Sequence, residues 1–261
     1  MRNKAAWLCG FFLALLILLS ALAWAVYAIA GNGDLLAEKM LRYAPPERSG
    51  LPAAEYPGVG RMTADYLTGR QPVFQYTFSD GERTLVCFQA HEADHMADCR
   101  GLIRLAGTLR WGFGAAALIL ACLGLVPGKF RRTCAGGMLA GLGTAGVLGT
   151  AAVLWGLADF DGLFTAFHRI AFSNDGWLLD PRTDLLIRLM PTAFFTDLAL
   201  RILTVVLAAA LLAGLAAGLI RRGMISGRSR DRHGLQGSFP PEDGGVEKPG
   251  NGTDSGAGNQ L

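Results

Sequence analysis

The sequence predicts an all-α integral membrane protein. The expected fold is a four-transmembrane-helix bundle carrying a small extracytoplasmic α/β cap, with one β-hairpin, and an outer interfacial helix. Three observations lead there. The chain of 261 residues is 51% hydrophobic and only 17% charged, with a mean hydropathy of +0.33, too apolar for an ordinary soluble domain. Its apolar residues fall into four blocks, each near the roughly 20 residues that cross a bilayer core. Basic residues gather at alternate ends of those blocks.

The first block, residues 7–30, has no charged residue. It resembles a signal peptide in following Arg2 and Lys4, but it is longer than a signal core and three more blocks follow, so it reads as an uncleaved helix. The second, residues 105–126, spans if Arg110 snorkels at the outer edge. The third, residues 134–157, carries Gly136, Gly137, Gly141, Gly143, Gly146 and Gly149, small residues that let helices approach closely in lipid. The fourth, residues 193–220, is apolar except for Asp197 and Arg201 near its start.

Arg2 and Lys4 precede the first span, Lys129, Arg131 and Arg132 fill the turn after the second, and Arg221, Arg222, Arg228, Arg230 and Arg232 follow the fourth. Four spans put these three regions on one side, the cytoplasm by the positive-inside rule. The expected organisation is a membrane domain over residues 1–222, with extracytoplasmic insertions at 31–104 and 158–192. A disordered cytoplasmic tail is expected over 223–261, which is polar and rich in Gly, Pro and Ser. The net charge of +3 does not suggest a nucleic-acid partner. The five cysteines form no C-x-x-C pattern, so neither a zinc ribbon nor a redox motif is indicated.

The first insertion opens with short helical patterns broken by prolines. Phe74, Tyr76 and Phe78 then alternate before Asp80-Gly81, a hairpin signal. From about Ala90 the period becomes helical and no proline intervenes before Pro127, so one helix should start in water and become the second span. His91, His95, Asp98 and Leu102 share a face of it. The second insertion is aromatic and leucine-rich and reads as a loop containing His168 and Trp177. After Asp180-Pro181, Leu185, Leu186, Leu189 and Met190 form the stripe of a short interfacial helix.

His91-Glu92-Ala93-Asp94-His95 matches H-E-x-x-H, the zinc-protease pattern. A zincin needs a third ligand. Asp98 and Gly101 stand where the extended metzincin motif has Gly and His, and no glutamate follows Glu92 before Glu242. A membrane zinc metalloprotease is therefore the secondary reading, a non-enzymatic membrane scaffold the third, and no metal is expected. Glu92 is expected to be solvated near a helix N-terminus.

Two stretches decide between these readings. "HMADCR", residues 95–100, and "FHRIAFSNDGWLLDPRTDLLIRLMPTAFFTD", residues 167–197, resemble the bacterial lipoprotein intramolecular transacylase family of four-span membrane proteins. The resemblance covers most of residues 1–220. The family usually has Val-Lys where this chain has Cys99-Arg100, and Arg presents a fork where Lys presents a point charge. It implies transfer of the sn-2 acyl chain of a diacylglyceryl lipoprotein to the α-amine of its N-terminal cysteine, giving a lyso-form lipoprotein. Diacylglyceryl-modified lipoproteins and membrane lipid are the implied partners, and no cofactor is implied. Its two functional histidines correspond to His95 and His168. Since the reaction is ester aminolysis, His95 is the expected base and His168 the group that polarises or protonates, with the reverse assignment left open. Asp98 and Asp175 are expected to orient an imidazole, Asn174 to donate to an oxyanion, and Trp177 to anchor the loop at the interface.

Overall fold

The computed structural model describes residues 2–81, 83–126 and 128–223. The expected tail, with Arg228, Arg230 and Arg232, lies outside the described residues. Four long helices are apolar enough to cross a membrane: α1 (Arg2–Ala30), α5 (Ala90–Gly124), α6 (Lys129–Ala158) and α9 (Thr192–Arg221). Between α1 and α5 lie α2 (Gly33–Tyr43), α3 (Pro46–Ser49), α4 (Tyr56–Thr68) and strands β1 (Thr77–Asp80) and β2 (Arg83–Val86). Between α6 and α9 lie α7 (Phe160–Ala171) and α8 (Leu185–Leu189).

Helix α1 is the hub of the bundle, packing on α5, α6 and α9. It runs antiparallel to α5, with Ser20 Oγ donating to the Arg110 carbonyl at 3.0 Å and Cys9 facing Leu120. The Arg110 guanidinium lies over the rings of Tyr27 (3.8 Å) and Trp24 (4.3 Å), so cation–π contact complements the expected snorkelling. The centre of the bundle is built from small side chains, among them Ala14, Ala117, Ala135, Ala213 and Ala217. Large apolar residues such as Leu118, Val147 and Leu211 face outward, as a lipid-facing surface requires.

The glycine-rich character of α6 has a narrower use than its sequence suggests. A Cβ on Gly137 would strike the Trp7 carbonyl and one on Gly141 the Phe11 carbonyl, whereas Gly136, Gly143, Gly146 and Gly149 face open space. The α1 side contributes Gly10, pressed against the Cys134 backbone.

The cap has its own core, formed by Met40, Tyr56, Val59, Phe74, Phe88 and Met96 together with Leu186, Leu189 and Phe194. Asn32 caps α2 by accepting the Leu35 N–H at 3.0 Å. Lys39 on α2, only 1% exposed, pairs with Asp197 on α9 at 3.4 Å. Asp197 also accepts from Tyr43 and Arg201. This cluster explains the charged start of the fourth span: it ties cap to bundle.

The hairpin is shorter than predicted, pairing only Thr77 with Val86 through Asp80 with Arg83. Phe74 and Phe88 leave the ladder to enter the cap core. The Gln75 side chain replaces the lost pairing, donating to the Phe88 carbonyl at 2.8 Å and accepting the Phe88 N–H at 3.2 Å. Helix α5 is continuous over 35 residues, as its unbroken period predicts.

Gly137→Leu should destabilise the bundle by about 1–3 kcal/mol, the usual cost of overpacking. Gly143→Leu, facing open space, should leave stability unchanged. Thermal unfolding in detergent compares the two.

Candidate active site

The capping box that starts α5 sets the position of His95. Glu92 accepts the Gln89 N–H at 2.7 Å, and His95 follows one turn later, 8% exposed. His168 sits in the last turn of α7, 6% exposed. That segment is helical rather than the expected loop. Asp159 caps it by accepting the Gly162 N–H at 2.8 Å, and Phe160, Phe164, Phe167 and His168 recur at steps of three and four, a signal present in the sequence.

The two imidazoles face one another with ring centroids 6.0 Å apart. Phe172 contacts both rings, and Phe164, Phe167 and Trp177 surround His168. His168 Nδ1 lies 2.7 Å from the Phe164 carbonyl. A carbonyl only accepts, so Nδ1 carries the proton and the lone pair of the neutral ring is on Nε2. His95 differs. Its Nε2 lies 3.5 Å from the Cys99 thiol, and its buried Nδ1 has no partner among the described residues. Burial pushes the His95 imidazole below its ordinary range, and His168 adds to this against the opposing pull of Asp98. Burial likewise lowers His168, against its bond to Phe164. Both shifts favour the neutral form of each ring. Burial also pushes the Cys99 thiol up to about 12, so it stays protonated.

The histidines border a cavity of about 580 Å³. Helix α5 forms one wall, α7, α8 and α9 another, and α1, α2 and α4 contribute to the lining. The lining is overwhelmingly aliphatic and aromatic; besides the imidazoles it includes Thr63, Cys99 and Trp177. An apolar space with two imidazoles at its edge suits acyl chemistry on a lipid.

A family model described as lipoprotein intramolecular transacylase Lit matches residues 11–195. The chain belongs to the lipoprotein intramolecular transacylase family. It resembles the structure of the membrane integral lipoprotein intramolecular transacylase Lit from Bacillus cereus, with 22% identity over 85% of this chain and 99% of that one, at a TM-score of 0.67. Two variants of that protein, each with one histidine replaced, superpose over 85% of this chain at 20% identity. The arginine variant is covered to 94% with a TM-score of 0.61, the alanine variant to 96% with 0.62. No curated protein matches the chain. Membership in this family places the chain among the membrane acyltransferases, above the zinc-protease and scaffold readings.

The H-E-x-x-H residues have other work. Glu92, expected in solvent, is 0% exposed because its carboxylate also accepts the Leu186 N–H at 2.6 Å. His91 Nε2 pairs with the buried Asp184 carboxylate at 3.0 Å. That hydrogen bond raises the His91 imidazole. Burial acts to raise the Asp184 carboxyl, but bonds from His91, Thr183 and Asp180 outweigh it and hold it low. Among the described residues no three His, Cys, Asp or Glu side chains converge as a metal site.

The supporting residues also depart from expectation. Asp98 accepts from Asn174 Nδ2 at 2.9 Å, and Asn174 Oδ1 accepts the Gly176 N–H. The pair is exposed and latches the loop after α7 to α5. Asp175 is exposed, and its carboxylate makes no hydrogen bond among the described residues. Trp177 packs on the His168 ring at 5.0 Å and lines the cavity, closer to the chemistry than an interfacial anchor. Phe164, as the partner of Nδ1, went unrecognised because a backbone carbonyl has no residue-type signature.

Glu92→Ala removes the acceptor of two backbone N–H groups and should cost about 2–4 kcal/mol, on the scale of two unsatisfied donors. His91→Ala should cost less, with its charge-dependent part largest in acid. The raised His91 contributes stability fully present below its unfolded value near 6.5, lost as pH rises through its folded value. Unfolding of both variants across pH measures the contrast.

Proposed function

We propose that the protein transfers the sn-2 acyl chain of a diacylglyceryl lipoprotein to the α-amine of the lipoprotein's N-terminal cysteine. The observation that carries this reading is the pair of buried imidazoles whose ring centroids lie 6.0 Å apart at the edge of an apolar cavity. The basic flanks of the spans support cytoplasmic termini and an outward-facing site, the leaflet in which such a substrate is anchored.

The bond from His168 to Phe164 favours roles opposite to those expected from sequence. His168 Nε2 accepts a proton from the attacking amine, whose lone pair adds to the ester carbonyl carbon. That proton passes to the neutral His95 ring, whose Nδ1 is unpartnered among the described residues, and the His95 imidazolium gives it to the departing glyceryl oxygen. The ester C–O bond breaks, the C–N bond remains, and the sn-2 oxygen leaves as a hydroxyl. One proton is taken and one given, so passage between the facing rings resets the site. Proximity supplies much of the acceleration, because amine and ester belong to one molecule. The aromatic wall of Phe164, Phe167, Phe172 and Trp177 keeps out water that would hydrolyse the ester.

Expression in a bacterium lacking N-acylation, followed by mass spectrometry of lipoprotein N-termini, tests this. The expected product is N-acylated and lyso at sn-2. Unchanged diacylglyceryl termini with the protein present in the membrane would sink the reading. His95→Ala and His168→Ala should each abolish the product, and His91→Ala should not. Both functional rings work from the neutral form and both are lowered. Activity should therefore rise from acid through an apparent value below the ordinary 6.5 or so and be at its plateau by neutral pH. A midpoint above that value would contradict the assignment.

A further inference from the structure

Among the described residues, one buried polar side chain outside the imidazole pair lines the cavity with its hydroxyl unpartnered. Thr63 on α4 is 1% exposed, lines the cavity, and its Oγ1 makes no hydrogen bond. A helical threonine normally returns its hydroxyl to the carbonyl four residues back. Thr68, Thr196 and Thr204 do so here, at 2.7–3.0 Å. Thr63 forgoes that bond, and an unmatched buried hydroxyl is destabilising unless something else uses it.

Its position suits the chemistry. Tyr66, one turn further along α4, lies under the Arg100 guanidinium at 4.8 Å, so α4 passes α5 about a turn beyond His95. Thr63 shares the cavity lining with Met96 and Cys99, and the Cys99 thiol is 3.5 Å from His95 Nε2. Ester aminolysis concentrates negative charge on the carbonyl oxygen, and a preorganised donor in a dry site stabilises that charge far better than one in water. Asn174, the donor expected from sequence, is exposed and gives one of its two amide N–H groups to Asp98. Both imidazoles are occupied with proton transfer.

We infer that the Thr63 hydroxyl donates a hydrogen bond to the carbonyl oxygen of the ester under attack and holds the oxyanion of the tetrahedral intermediate. This rests on the transacylase reading above. Thr63 transfers no proton; it supplies a neutral dipole on the α4 wall of the cavity.

The test uses the purified full-length protein with a synthetic diacylglyceryl lipopeptide, measuring kcat, KM and melting temperature. Thr63→Val should lower kcat by about 100-fold, the lower end of the loss from deleting one oxyanion donor, with KM within about twofold of wild type. Its melting temperature should be unchanged or higher, since an apolar isostere removes an unmatched polar group. Thr63→Ser should keep most of the activity. A Thr63→Val kcat within about threefold of wild type overturns the inference and leaves the transacylase reading intact. So does a loss that tracks a lowered melting temperature and is not rescued by Ser. Failure of the wild-type protein to turn over the lipopeptide sinks the reading itself and this inference with it.

Discussion

The site depends on one carboxylate. Glu92 accepts the backbone N–H of Gln89 at 2.7 Å and that of Leu186 at 2.6 Å, so it caps α5 and α8, which start more than ninety residues apart in the chain. Both amides are among those a helix N-terminus leaves unpaired. Carboxylate-to-amide bonds are the stronger kind of hydrogen bond, and this one is fully buried. It brings the α5 start to the wall formed by α8 and α9. His95 stands one turn from that joint, and Leu186, beside it, lines the cavity. A second link, Lys39 to Asp197, couples the cap to α9.

The architecture was largely legible in the sequence because lipid imposes simple rules. Hydropathy alone located α1, α5, α6 and α9, and the unbroken period from Ala90 foretold that α5 would be one continuous helix. Boundaries set by tertiary exchange were not legible. The hairpin looked longer because Phe74 and Phe88 fit its alternation, but a core competed for them and Gln75 supplied the missing bonds. Six glycines in α6 looked equivalent, and only the facing helix distinguishes Gly137 and Gly141.

At the site, residue type was visible and environment was not. His95 and His168 stood out by motif. Glu92 looked like a surface acid because acids near helix starts usually are, and the amide that buries it lies in a distant segment. Asp98 and Asn174 were recognised as polar neighbours, but their preference for each other depends on how the loop after α7 folds back. Thr63 had no signal at all, since a threonine in an amphipathic helix is unremarkable until its hydroxyl is found without a partner.

The unbroken course of α5 has a mechanical consequence. At 1.5 Å per residue its 35 residues reach about 52 Å, well beyond a hydrocarbon slab of roughly 30 Å. His95 and the lipid-facing turns below it belong to one stiff rod, with no hinge between them to absorb strain. The separation of His95 from Leu105 along the rod is thus fixed by helix geometry at about 15 Å of rise. A thicker or thinner bilayer must be met by tilting the rod, which carries His95 sideways relative to any molecule anchored in the leaflet. Membrane thickness thereby acts on the alignment of the imidazole without touching a single residue near it.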